Sequence, residues 1–292
     1  MRIVVGHDGS PSSAITEDFI CGTTWPAESE FLFLCACGHD TRGVLNMLYS
    51  QAEPLRRLGH RVEVRAEEGS PAQVLSQAAT EFAADLIVVG SRGRGPAASA
   101  LLGSVSAGLV DHAPCPVLVV RESQVSRILV ATDGSASARA IPNILDGWRA
   151  FRGLPIDVLS VASAPASDTE LMITPWAAPA PEPAPVVSEP TQRHLEFVED
   201  MMERLESSGR EARPFVRVGD AADQIVAGAR ELGCDLIITG SRGLGDMKRL
   251  LSGSVAHDVL LHSHCSVLVM RGHAPAMAKR RVAVPVATPA MA

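Results

Sequence analysis

The sequence predicts an α/β protein built from two tandem open five-stranded parallel sheets, each with helices on both faces. Three observations predict it. Short apolar runs alternate with stretches of helical spacing, the pattern of parallel strands joined by right-handed helical crossovers. The alternation is traversed twice, and both passes carry the same glycine signature at a fixed offset of 150 residues. Aliphatic residues are plentiful, whereas aromatic residues make up 4% and include one tyrosine, Tyr49. That balance suits helices packed on parallel strands rather than a β-sandwich.

Taken in order, Arg2-Ile3-Val4-Val5-Gly6-His7-Asp8-Gly9-Ser10 matches Arg127-Ile128-Leu129-Val130-Ala131-Thr132-Asp133-Gly134-Ser135 at an offset of 125. Each is a short apolar strand ending in Asp-Gly-Ser, followed by helical spacing that runs to near Trp25 or Trp148. Second strands are expected over 31–36 and 156–162, and helices over 44–58 and 193–206. Third strands follow over 61–66 and 211–218, then helices over 71–83 and 221–232. The fourth strands carry the glycine motif, and the fifth span 117–120 and 267–270. Two domains result, 1–122 and 126–271. The growth of the offset from 125 to 150 places an insertion in the second copy, mostly within 164–190. That segment contains Ala177-Ala178-Pro179-Ala180-Pro181-Glu182-Pro183-Ala184-Pro185, which sustains neither helix nor sheet and reads as an extended surface loop. Trp176 and Met172 could make it a lid, but a passive insertion is the simpler reading. The tail 272–292, with Lys279-Arg280-Arg281, is poor in packing signals and is expected to be disordered.

The glycine motif is the most informative stretch. Leu86-Ile87-Val88-Val89-Gly90-Ser91-Arg92-Gly93, nine residues, then Gly103-Ser104-Val105 is matched by Leu236-Ile237-Ile238-Thr239-Gly240-Ser241-Arg242-Gly243, nine residues, then Gly253-Ser254-Val255. Both copies fit G-x2-G-x9-G-S. A buried strand meets a glycine turn, and a short helix over 104–112 begins at Ser104, a candidate N-cap, with Pro114 as its stop signal. Glycines open backbone conformations closed to other residues and let a bulky anion approach. A helix N-terminus offers unpaired N–H groups and partial positive charge. Two glycine turns converging on one helix start therefore suit a polyphosphate; the alternative is that they only make tight turns. Arg92 and Arg242 lie inside the motif and could balance phosphate charge, or simply be solvated.

Asp8 and Asp133 end the first strand of each copy. Ligands of open parallel sheets collect beyond the carboxyl ends of the strands, so Asp8 can face the same crevice as Gly90 and Gly103. A carboxylate there could accept from ribose hydroxyls or hold a metal near phosphates. The alternative is an Asx-turn or helix cap.

Composition excludes several classes. A net charge of −7 and a pI near 5.7 argue against general affinity for nucleic acid. The N-terminus enters a strand directly without a signal-peptide core, and no apolar stretch is long enough to cross a bilayer, so a cytoplasmic location is expected. The six cysteines, Cys21, Cys35, Cys37, Cys115, Cys234 and Cys265, form no C-x-x-C pair and read as reduced, mostly buried small hydrophobes. Gly93-Arg94-Gly95-Pro96-Ala97-Ala98 matches a dinucleotide fingerprint on paper, but it follows the fourth strand rather than the first. A Walker loop would need Gly-Lys-(Ser/Thr), absent from both copies. No Ser-His-Asp order or catalytic carboxylate pair stands out, and His112 and His262 occupy equivalent helix ends, where capping is the expected role.

With these residues in place, the chain resembles a tandem universal stress protein of the ATP-binding branch. The resemblance covers both copies, whose G-x2-G-x9-G-S signatures fit without a mismatch. It implies an adenine nucleotide alpha hydrolase-like, Rossmann-like fold, with ATP or ADP, possibly with Mg2+, in each domain. Carried over by position, Asp8 and Asp133 would lie near the ribose, and Ala36 and Val161 would offer backbone to the adenine. Gly90, Gly93, Gly103, Ser104 and Val105, with Gly240, Gly243, Gly253, Ser254 and Val255, would surround the phosphates. Ser106 faces Ala256 across the repeat, so one site lacks a hydroxyl; a lost hydrogen bond of that kind costs about 1 kcal/mol, a few-fold in affinity. The implied function is a nucleotide-dependent stress sensor or regulator. A slow ATPase acting as a timer, and a protein-interaction scaffold with nucleotide as filler, are the alternatives. The fifth strands would pair within the chain, or with a second chain in a homodimer.

Overall fold

The computed structural model describes residues 1–37, 41–93, 103–163, 189–241 and 254–271. The expectations for the insertion 164–190 and the tail 272–292 fall almost wholly outside the described residues, as do those for Arg242, Gly243 and Gly253.

The first copy runs β1 (Arg2–Gly6), α1 (Pro11–Gly22), β2 (Glu30–Ala36), α2 (Thr41–Arg57), β3 (Arg61–Glu67), α3 (Pro71–Glu81), β4 (Leu86–Gly90), α4 (Ser104–His112) and β5 (Val117–Val120). The inner strands are continuous apolar runs because helices cover both faces; Ile3, Val4, Val5, Ile87 and Val88 are fully buried. α1 starts where the sequence supplies both a cap and a pre-set first turn. The Ser10 hydroxyl accepts from the Ser13 amide at 3.3 Å, and Pro11 follows immediately.

The second copy runs β6 (Ile128–Ala131), α5 (Ala136–Arg139), α6 (Ile141–Trp148), β7 (Ile156–Ala162), α7 (Glu189–Ser207), β8 (Ala212–Val218), α8 (Ala221–Glu231), β9 (Leu236–Gly240), α9 (Ser254–His262) and β10 (Ser266–Met270). The expected single helix after β6 is two, because Pro142 at the start of α6 cannot continue a hydrogen-bonded helix from α5. α2 begins three residues before its expected start, since Thr41, Arg42 and Gly43 carry no apolar periodicity to reveal them.

The ten strands of the described residues form one sheet in the order β3-β2-β1-β4-β5-β10-β9-β6-β7-β8. Pairing is parallel within each half, and the halves meet in a single antiparallel ladder, Val117↔Val269, Leu118↔Leu268 and Val119↔Val267. The fifth strands therefore pair within one chain. β5 lies between β4 and β10, and β10 between β5 and β9, so neither keeps an edge for a second chain. Of the two pairings expected for these strands, the structure shows the one within the chain. The open edges are β3 and β8 instead. β3 alternates charges at Arg61, Glu63, Arg65 and Glu67, and β8 contains Pro214, both features that blunt edge-to-edge association.

Two arginines 150 residues apart tie the halves together. Arg121 donates to the carbonyls of Leu260 (2.7 Å) and Cys265 (3.3 Å), at and beyond the end of α9. Arg271 donates to the Val110 carbonyl near the end of α4 at 2.6 Å. Each half thus satisfies terminal helix carbonyls of the other with a cation, where the helix dipole favours one. The end histidines act likewise, His112 on the Gly108 carbonyl and His262 on that of Asp258. None of the six cysteines forms a disulfide, and four of them are buried. Among the described residues, no helix is long and apolar enough to cross a membrane.

Candidate functional site

In each half the chain passes from the first strand to the second on one side and to the fourth on the other. Strand order reverses there, so the carboxyl ends of β1 and β4 diverge and leave a crevice. In the first copy it opens into a cavity of about 870 Å3, inside the range of about 300–1,000 Å3 usual for small-molecule and cofactor sites. Asp8, Ala36, Gly90, Arg92, Gly93, Gly103, Ser104, Val105 and Ser106 all line it. Residues separated by almost a hundred positions in sequence thus converge on one hollow.

The glycines divide their work. Gly90 is glycine because the first turn of α1 presses on it: a Cβ there would stand 2.5 Å from Ser12 Oγ and 3.0 Å from the Ser12 carbonyl carbon. Gly240 repeats this against Ser137 Oγ, also at 2.5 Å. Gly93 and Gly103 instead keep the crevice open. A Cβ on Gly93 would meet Asp8 Oδ2 at 3.0 Å, and one on Gly103 the Ser91 carbonyl oxygen at 3.3 Å. None of Gly90, Gly93 and Gly103 has a positive φ. The expectation that they supply special backbone angles is corrected: they supply space. Special angles belong to Gly9 and Gly134, at φ +72 and +73, in the Asp-Gly-Ser turns.

Asp8 has both roles the sequence allowed. Its Oδ1 accepts from the Ser10 amide (2.9 Å) and the Ser13 hydroxyl (2.5 Å), which fixes the turn into α1. Its Oδ2 faces Gly93 across the crevice. The turn is stitched to the end of β4, since the Arg92 amide donates to Ser12 Oγ at 3.3 Å and Ser10 Oγ to the Arg92 carbonyl at 3.4 Å. Arg92 itself is exposed at the rim.

α4 starts at this hollow. Its N-cap is Gly103, not Ser104 as the sequence suggested, and Gly103 has no side chain with which to cap the first amides. The N–H groups of Ser104, Val105 and Ser106 have no acceptor one turn back within the helix, so they and the positive end of the dipole meet at the cavity. Ser106 departs from expectation: its hydroxyl donates to the Gly90 carbonyl at 2.9 Å and is almost fully buried. It fastens α4 to β4, a bond that Ala256 cannot make in the second copy.

Sequence reasoning missed the opposite wall. His7, Cys35, Cys37, Gly43, Val44, Met47 and Leu75 also line the cavity. Val44 and Met47 are three apart on α2, the spacing of one helix face, and that is the signal by which they could have been found. α2 and α3 thus supply an apolar wall, while β4 and α4 supply amides and a dipole. Such a lining suits a molecule with a flat apolar ring and an anionic tail.

In the second copy Asp133 repeats the turn, its Oδ1 accepting from the Ser135 amide at 3.0 Å. Val161 lies in β7 beside Arg217 of β8, and Ser254 and Val255 begin α9.

Comparison with known proteins agrees with this architecture. The model of the "Universal stress protein family" matches residues 38–121 and 124–271. A universal stress protein of Mycobacterium tuberculosis is 30% identical over 199 residues, covering 64% of this chain and 62% of that protein. A second from the same species is 31% identical over 200 residues, covering 64% and 61%. The matches therefore span somewhat under two thirds of these relatives' length. Among solved structures, a universal stress protein from Pseudomonas aeruginosa aligns over 92% of both chains with a TM-score of 0.65 at 19% identity. One from Archaeoglobus fulgidus aligns over 92% of this chain and 96% of its own, with a TM-score of 0.59 at 22% identity. These two share the fold. With two consecutive family matches over two halves of one sheet, the chain belongs to the universal stress protein family as a tandem member.

Proposed function

We propose that the first-copy cavity binds an adenine nucleotide, ATP or ADP, and that the protein acts as a nucleotide-responsive regulator in stress physiology. The observation that carries the reading is the convergence of Gly93, Gly103 and the uncapped start of α4 on a hollow whose other wall is Val44, Met47 and Leu75. Phosphates would lie against the α4 amides, where backbone donors and the dipole both favour negative charge. The ring would lie toward α2 and Ala36. Asp8 Oδ2 would accept from ribose hydroxyls or approach a phosphate-bound Mg2+, which would supply charge neutralisation there. No catalytic step is assigned, and the reading is of a binding module.

The fit rests on space. A Gly103→Val variant should lose at least tenfold in ATP affinity, about 1.4 kcal/mol, by titration calorimetry, with thermal melting used to verify that it is folded. Cys37 lines the cavity and is half-buried, so saturating Mg-ATP should slow its alkylation. Equal affinity in the variant, with no protection of Cys37, would contradict the proposal.

A further inference from the structure

The two copies differ on the wall that faces the glycines. At an offset of 150, Thr41, Leu45, Leu55 and Gly59 match Thr191, Leu195, Leu205 and Gly209, so α7 is the counterpart of α2. The cavity-lining positions Gly43, Val44 and Met47 become Arg193, His194 and Phe197. At an offset of 125, His7 and Cys35, which also line the first cavity, become Thr132 and Ser160.

These replacements interlock. Cδ1 and Cε1 of Phe197 lie 2.5 Å from the point where a Cβ on Gly134 would stand, so the ring rests directly on the Asp133-Gly134 turn. His194 stands edge-on to that ring, with centroids 5.4 Å apart and planes at 78°. His194 Nδ1 is 2.7 Å from Ser160 Oγ. The fully buried Ser160 hydroxyl donates its one proton to the Thr132 carbonyl at 2.6 Å. It can therefore only accept from the imidazole, which places the proton on Nδ1. Protonating the ring adds a proton at Nε2 and leaves this bond in place.

We infer that His194 and Phe197 fill the second copy's cleft from within, so that the protein takes one adenine nucleotide per chain, in the first copy alone. This rests on the reading that the first cavity binds such a nucleotide. An entering base would have to lift an aromatic ring off the turn and break a hydrogen bond to a buried hydroxyl. In the first copy Val44 and Met47 ask for neither. The expectation of one site per domain changes accordingly, and the reason lies on α7 rather than in Ser106 against Ala256. The second copy keeps its part in the sheet and holds the first through β10 and Arg271.

The test is equilibrium dialysis of the full chain against labelled Mg-ATP at saturation, with thermal melting to verify each variant's fold. Wild type should hold one nucleotide per chain. H194V/F197M, which copies the first-copy residues, should hold two. The reciprocal V44H/M47F should hold none, and it decides the matter even if the first variant fails to fold. Two nucleotides on wild type, one retained by V44H/M47F, or one on a folded H194V/F197M would each overturn the inference while leaving nucleotide binding intact. No binding by wild type or any variant would overturn both.

Discussion

Gly90 and Gly103 belong to one motif, yet they answer to different forces, and substitution separates them. Gly90→Ala drives a methyl into Ser12, so overpacking should cost about 1–3 kcal/mol, read as a fall in the denaturant midpoint. Gly103→Val meets the backbone of residues 91–93 at the cavity rim, none of it nearer than 3.3 Å, and should act chiefly on ligand affinity. Thiol chemistry gives an independent check. Burial pushes Cys115 and Cys234 up to about 12, the neighbouring Asp85 and Asp157 adding to it, and Cys21 up to about 11. At neutral pH these three should resist alkylation in the folded protein and react on unfolding, with Cys37 modified first. The motif positions were legible because their spacing is local and repeated. The use of Ser106 as a donor to Gly90, and of Gly90 as a seat for Ser12, depends on α1 and α4 meeting over β4, which no local pattern encodes.

At the scale of elements, α7 carries the difference between the halves. Its existence and its apolar stripe, with Val198, Met201 and Leu205 buried, follow from helical spacing in the sequence. What His194 and Phe197 touch does not, because Gly134 and Ser160 lie on other elements. Burial lowers the pKa of His194, and of His60 and His264 as well. A histidine with a folded pKa below its unfolded value binds protons more readily when unfolded. Its contribution is fully present above the unfolded value, about 6.5, and is lost as pH falls through the folded one. Stability should thus decline as pH drops from about 7 toward 5, with Asp133 easing and Arg193 opposing protonation of His194. His194→Val should flatten part of that decline in denaturant titrations at successive pH values; an unchanged slope would remove His194 from the account.

For the whole molecule, the sequence showed two copies of one fold but left their partner open, since an apolar fifth strand pairs equally well within a chain or between chains. The structure closes the choice through the β5–β10 ladder and the reciprocal arginines. Arg121→Ala should cost roughly 1.5–3 kcal/mol, the worth of hydrogen bonds from a charged donor, seen in equilibrium unfolding. Adding Arg271→Ala should broaden or split the transition as the halves uncouple; a single sharp transition in the double variant would show that the ladder suffices alone. If the first cleft alone takes nucleotide, as inferred above, a fold that is nearly symmetric carries an asymmetric function. The most direct test of that account is the adenine content of the freshly purified full chain, saturated with Mg-ATP, freed of excess nucleotide and denatured in acid. One adenine nucleotide per chain is expected, falling to none in V44H/M47F; wild-type protein with none, or with two, would contradict an open first cleft beside a filled second one.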